Sequence, residues 1–316
     1  MPSVNTVSGP IDTEDLGFTL MHEHIIIESP GVKENFRILD RQAEIERSAA
    51  KVKDAMDRGV RTLVDLTPGD WRDIPFVKEV VERSPMQVIV ATGIYWEVPH
   101  HFRRETGRSV DYIADLFIRD IRDGIMDTGV KAAIIKCATD EPGVTEDVER
   151  ILRASAKAHR ATGVPISTHT HAGSEVGLAQ QDVFESEGVD LSRVVIGHSG
   201  DTEDTSYLRK LCDRGSYIGM DRFGIDIFLE NEKRVATIVK MCELGYAEKM
   251  VLSHDASCYF GWVDPPLREK ILPNWHFNHI PDNVIPALFK AGVSDDQIRT
   301  MTVDNPRRIF ERQGAY

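Results

Sequence analysis

The chain has 316 residues, 41% of them hydrophobic and 28% charged, which suits one large globular domain and falls within the span of one α/β barrel. Its 38 basic and 51 acidic residues leave a formal charge of −13, which repels phosphate backbones and multiply charged anions and so argues against nucleic acid and for a small neutral substrate. No apolar stretch is long enough to span a bilayer, the first residues lack the pattern of a signal peptide, and the four cysteines form no CxxC pair, so the expectation is one cytoplasmic domain over 1–316 with no membrane association, disulfide framework or thiolate zinc site.

In chain order, short runs rich in branched and apolar residues occur at 18–25, 62–66, 88–95, 132–138, 165–170, 194–200, 216–222 and 250–255. Runs this short and continuous suit strands buried on both faces. Helical spacing fills 43–58, 110–127, 145–161, 201–213 and 233–244 between them. The alternation predicts a parallel sheet, and eight such units without a glycine-rich phosphate turn predict a closed (β/α)8 TIM barrel rather than an open doubly wound sheet. Gly59, Gly129, Gly163, Gly188, Gly215 and Gly245 stand near helix ends, where a left-handed cap is wanted. The long irregular stretch 256–281 follows the last strand and is the kind of loop that carries function.

Chemistry-bearing residues gather at the ends of these strands. His22 and His24 flank Glu23 at a spacing that sends both imidazoles to one face of a strand and Glu23 to the other. Lys136 follows Ala132-Ala133-Ile134-Ile135, and a lysine at an inward barrel position is unfavourable unless paired or neutralised. An ion pair with a nearby acid would satisfy it. So would reaction of its neutral amine with carbon dioxide, giving a carbamate whose two oxygens bridge cations. His169, His198 and Asp255 each close a further strand, and Asp255 offers a carboxylate able to bind metal and move a proton. Any of them alone reads as a core or surface residue; together they sit at the end where barrels place their active sites. His171 lies beyond its strand, His254 faces away by alternation, and His100, His101, His276 and His279 belong to loops with no assigned role.

With these residues in place, the chain resembles the phosphotriesterase family of the amidohydrolase superfamily, and within it the phosphotriesterase-like lactonases. The similarity runs from Gly9-Pro10-Ile11-Asp12 and Thr19-Leu20-Met21-His22-Glu23-His24, through Lys136-Cys137-Ala138-Thr139-Asp140-Glu141-Pro142-Gly143 and Ile196-Gly197-His198-Ser199-Gly200-Asp201-Thr202, to Asp304-Asn305-Pro306. The resemblance implies that His22, His24 and Asp255 hold a buried metal, that His169 and His198 hold a more exposed one, and that carbamylated Lys136 and a hydroxide bridge the two. It also implies substrate contacts from Tyr95, Arg222 and Trp262, and a homodimer. Two stretches depart from the family pattern: Thr67-Pro68-Gly69-Asp70-Trp71-Arg72 after the second strand, and Trp96-Glu97-Val98-Pro99-His100-His101-Phe102 after the third, which brings Glu97 beside the expected pocket.

The reading that follows is a metal-dependent hydrolase using two divalent ions, zinc first, with cobalt, iron or manganese suited to the same donors. Its expected substrates are N-acyl-homoserine or other hydrophobic lactones, opened by attack of the bridging hydroxide, with a slower activity on phosphotriesters. Tyr259, Phe260, Trp262, Pro265, Pro266 and Leu267 of the last loop would cover an acyl chain. The alternatives are a dedicated organophosphate hydrolase, another amidohydrolase such as a cyclic-amide hydrolase or one-metal deaminase, and a non-catalytic metal-binding barrel.

Overall fold

The computed structural model describes residues 2–36, 38–312 and 314–316. A small antiparallel hairpin, β1 (Ser3–Thr6) with β2 (Gly9–Asp12), comes first. The barrel strands follow: β3 (Thr19–Ile27), β4 (Thr62–Asp65), β5 (Gln87–Gly93), β6 (Ile134–Ala138), β7 (Ile166–His169), β8 (Val194–Ile196), β9 (Tyr217–Met220), β10 (Met250–Leu252) and β11 (Ser257–Phe260). They are parallel, in the order β10-β9-β8-β7-β6-β5-β4-β3-β11. Helices Arg41–Asp57, Ile74–Arg83, Val110–Arg122, Glu146–Thr162, Val176–Ser186, Thr205–Asp213 and Asn231–Glu243 fill the crossovers. The expected (β/α)8 barrel is the fold.

Eight positions are shared among nine strands because the eighth is broken. β10 pairs with β9, the chain bends at Asp255 with φ +56°, and β11 pairs with β3. Between the two pieces the ring closes through single bonds: Asp255 N–H donates to the His22 carbonyl at 2.9 Å, and His24 N–H to the Ala256 carbonyl at 2.8 Å. The buried Glu23 carboxylate completes this seam. It accepts from the Ser253 hydroxyl, His254 N–H and His254 Nδ1 at 2.8, 3.0 and 2.6 Å, and from Ala256 N–H at 2.9 Å. Burial pushes the Glu23 carboxyl up, and these donors pull it back toward the ionised form.

Apolar side chains fill both sides of the sheet. Outside it, Ile25, Val77, Phe117, Ile151, Phe184 and Ile238 pack the helices onto the strands. Inside it, Met21, Val64, Ile89, Ile134, Val195 and Val251 make a floor, sealed below by Val4 of the hairpin and by Ile309 and Phe310 of the C-terminal helix Asn305–Glu311. The hairpin and this helix carried no sequence expectation. The register between β3 and β4 slips between Leu20 and Glu23, so that Met21 joins the floor while His22 and His24 stand above it.

All six glycines expected at helix ends have positive φ, from +73° at Gly129 to +115° at Gly215. The stretch 256–281 is not irregular, since it contains β11 and the helix Pro265–Ile271. His279, which had no assigned role, is buried, and its ring nitrogens pair with Asn231 at 3.1 Å and Asn283 at 3.2 Å.

His279 and His159 give the fold a pH limit. Burial lowers His279 to about 4 and shifts His159 in the same direction, so both imidazoles are neutral when folded. The unfolded chain takes up these protons first, at about pH 6.5, so their contribution is complete above that value and is lost as pH falls toward about 4. The melting temperature is therefore expected to drop between about pH 6.5 and 5, before most carboxylates titrate. A flat profile across that window would contradict this assignment.

Candidate metal centre

Above the apolar floor the strand ends deliver polar side chains to one point. His22 Nε2 lies 2.9 Å from Lys136 Nζ and 3.4 Å from Asp255 Oδ1, and His24 Nε2 lies 2.9 Å from the same oxygen. His198 Nε2 is 3.7 Å from Asp255 Oδ2, its ring stacks on His22 at 4.7 Å, and His169 meets His198 edge-on at 4.5 Å. All six residues singled out in the sequence thus meet on one side of the barrel. Two reach it by leaving regular structure: His198 and Asp255 both adopt the left-handed conformation just past their strands, with φ +58° and +56°. That conformation is strained for these residues, and such strain concentrates at functional sites.

Each imidazole is held by neighbouring side chains. Asp221, which carried no sequence expectation, uses Oδ2 to hold His22 Nδ1 at 2.8 Å and Oδ1 to hold His198 Nδ1 at 3.0 Å, and it also accepts from His198 N–H at 2.8 Å. Room for this carboxylate exists because two neighbours are glycines: a Cβ on Gly219 would stand 2.4 Å, and one on Gly197 3.2 Å, from Asp221 Oδ2. His24 Nδ1 faces the Thr67 hydroxyl at 2.9 Å, which is fixed by Asp65 at 2.5 Å. His169 is set between Asp140, 2.9 Å from its Nε2, and the Tyr95 hydroxyl, 3.1 Å from its Nδ1.

The electrostatics suit a cation. Burial lowers His22 and His169 to about 4 and His198 well below the usual imidazole range, so their ring nitrogens keep lone pairs at neutral pH. Burial alone would raise the Asp255 carboxyl, but His22, His198, His24 and Arg222 hold it well below the ordinary range. Burial lowers Lys136 to about 8, which leaves about a tenth of its amine neutral at pH 7. Donor atoms of His22, His198 and Asp255 lie within 4.8 Å of one another. The 3.4 Å between His22 Nε2 and Asp255 Oδ1 matches the roughly 3.3 Å edge of a tetrahedron with zinc–ligand bonds near 2 Å. The donor set fits a divalent metal.

Tyr95, Arg222 and Trp262 all line the cavity above this cluster, a space of about 250 Å³ with Trp71, Ile227, Phe228 and Phe260 in its walls. Arg222 lies past the end of β9, donating from Nε to Asp255 Oδ2 at 3.1 Å and from Nη1 to Asp201 Oδ2 at 2.9 Å. Arg234, buried in helix Asn231–Glu243, holds Asp201 from the other side at 2.6 Å. Two expectations are corrected. Glu97 is exposed and not part of the cavity wall, because the chain turns away after Tyr95. Of the six last-loop residues expected to cover an acyl chain, Phe260 and Trp262 line the cavity; Tyr259, which alternates with Phe260 along β11, does not, nor do Pro265, Pro266 and Leu267 at the start of the helix Pro265–Ile271.

The family model described as "Phosphotriesterase family" matches residues 2–310. The chain belongs to the phosphotriesterase family. A phosphotriesterase homology protein from Mycobacterium tuberculosis is 52% identical, with 100% of each chain covered. An aryldialkylphosphatase from Saccharolobus solfataricus is 42% identical over 95% of this chain and 96% of that protein. The solved structure of the phosphotriesterase from Mycobacterium tuberculosis superposes with a TM-score of 0.95, at 50% identity and full coverage of both chains. Like the phosphotriesterases it resembles, this protein is a metal-dependent hydrolase acting on ester bonds. No described helix is long and apolar enough to cross a membrane.

Proposed function

We propose that this phosphotriesterase-family hydrolase opens hydrophobic lactones, N-acyl-homoserine lactones among them, and acts more slowly on phosphotriesters. The observation that carries the reading is the pairing of a phenol with a guanidinium at the cluster: the Tyr95 hydroxyl reaches His169 while Arg222 grips Asp255, under an aromatic and aliphatic roof. That combination suits a neutral electrophile with an apolar tail.

In this reading two divalent cations, zinc before cobalt, iron or manganese, are held by His22, His24, His169, His198 and Asp255, with Lys136 carbamylated to add two oxygens to the donor set. When bound, such a pair supplies Lewis acidity and lowers the pKa of a shared water from about 15.7 to near neutrality. Asp255 accepts the proton of the attacking water and delivers it to the leaving oxygen. Arg222 keeps the carboxylate aimed by fixing Oδ2, and Asp201 fixes Arg222 in turn. Tyr95 stays protonated because burial raises it, so it is available to donate to the oxyanion. Trp262 and its neighbours exclude water around the tail.

Replacing Tyr95 by phenylalanine is expected to lower kcat/KM on a lactone about tenfold, mostly in kcat. An unchanged kcat would remove the hydroxyl from the reaction. The reading as a whole is tested by kcat/KM across a series of acyl-homoserine lactones, aliphatic lactones, phenyl esters and paraoxon. Ester turnover without ring opening would overturn it. A second reading, preference for phosphotriesters, is favoured by the relative named aryldialkylphosphatase, and paraoxon exceeding every lactone in that series would establish it. The protein is further proposed to be a homodimer acting on small substrates in the cytoplasm; sedimentation velocity at micromolar concentration tests the dimer.

A further inference from the structure

The cavity ends in a charge. A run of aromatic rings leads from His169 through Tyr95 at 5.0 Å, then Trp71 at 4.4 Å and Trp262 at 4.5 Å, to Phe260 and Trp275 at 5.2 and 5.3 Å steps. At its far end the Arg268 guanidinium carbon stands 5.7 Å from the centre of the Trp275 ring. Arg268, Leu272 and Trp275 line this cavity and also a second cleft of about 490 Å³, so these three side chains form the partition between the two spaces.

Arg268 is only 8% exposed, and among the described residues no carboxylate lies within ion-pair distance of it. Its Nη1 donates to the carbonyl and hydroxyl of Ser257 at 3.4 and 3.2 Å, which leaves Nε and Nη2 without a protein acceptor among the described residues. Lys51, on the wall of the outer cleft, donates to the Cys258 carbonyl at 2.8 Å and also lacks a carboxylate partner among the described residues. Three carboxylates border that cleft. Arg58 engages Asp54 at 2.5 Å and Asp282 at 2.7 Å, and Glu269 is exposed on the helix. A buried guanidinium without a counter-charge is unfavourable, and its planar fork matches a carboxylate.

We propose that Arg268, with Lys51 beside it, is the anion-binding end of an extended substrate channel, so that the enzyme favours esters or lactones whose apolar chain ends in a carboxylate. The inference rests on the reading of the cavity as the place where an ester or lactone is opened. The reacting end stays neutral. The single distal charge would meet two cations, Arg268 and Lys51, neither of which has a carboxylate partner among the described residues.

The test is calorimetric titration of the metal-loaded enzyme with two non-hydrolysable probes, 10-hydroxydecanoate and 1,10-decanediol. The acid is expected to bind about fivefold more tightly than the diol. Arg268→Met should bring the preference below about twofold, Arg268→Lys should restore part of it, and Lys51→Met, on an exposed helical position, should reduce it about twofold. Equal affinity of the unaltered enzyme for the two probes overturns the proposal. So does a preference that survives Arg268→Met, which would place the carboxylate at the opposite end of the channel. If Arg268→Met does not fold, an undiminished preference in both Arg268→Lys and Lys51→Met overturns it. Because binding is read without turnover, failure of lactone opening would count against the catalytic reading alone.

Discussion

Replacing Lys136 by methionine is expected to lower kcat/KM by about three orders of magnitude on every substrate, the equivalent of about 4 kcal/mol of transition-state stabilisation. Methionine preserves most of the volume of a side chain that is 2% exposed, so the barrel should persist and, with both proteins metal-free, melt within a few degrees of the parent. The expected loss is chemical. Lys136 sits 2.9 Å from His22 Nε2, and burial has already brought its ammonium down to about 8. The neutral fraction can attack carbon dioxide, forming an N–C bond and releasing one proton to solvent. Enzyme stripped by a chelator should lose its activity, and its reactivation by zinc should quicken with added bicarbonate. The methionine variant should ignore bicarbonate. Retention of a tenth of the activity by the variant, or reactivation of the parent at a rate independent of bicarbonate, would leave Lys136 as an ordinary buried amine.

Asp221→Asn is expected to have the next largest effect. One carboxylate accepts from Nδ1 of His22 and of His198, and thereby fixes which nitrogen of each ring faces the cavity. An asparagine offers one acceptor and one donor, so one imidazole must change tautomer or rotate. Loss of such an orienting partner typically weakens metal binding or activity about 10- to 100-fold. Metal content by mass spectrometry after dialysis against a graded chelator, measured beside kcat, separates weaker metal binding from slower chemistry. A variant that keeps its metal and its kcat would show that the rings are held by packing alone.

Why Asp221 escaped the sequence while Arg222 did not is a matter of chain direction. Arg222 came from the family resemblance alone, and alternation along a strand would send its neighbour Asp221 to the opposite face. β9 ends at Met220, and beyond it the chain turns, so both side chains reach the site. Gly197 and Gly219 mark the place, since a Cβ on either would crowd the Asp221 carboxylate. The metal-binding candidates were legible because a polar residue closing an apolar run is unusual. The barrel was legible because βα alternation repeats eight times. Glu23, Arg234 and Arg268 were not, since a single charge inside an apolar strand or helix does not say whether it meets water or a buried partner. The run 250–255 announces the first piece of the eighth strand, but β11 beyond the break is only four residues long and carries no apolar run of its own to mark it within 256–281.

That interruption has a mechanical consequence. His22 and His24 belong to the first barrel strand and Asp255 to the break in the last, so these three proposed ligands stand on opposite banks of a seam where, among the described residues, the ring is joined by isolated bonds instead of a continuous ladder. A cation gripped by both banks would rivet the cylinder shut. Unfolding should then release it, and the melting temperature should climb with free zinc concentration as mass action requires. In this molecule the same clasp that supports hydrolysis would also fasten the hoop.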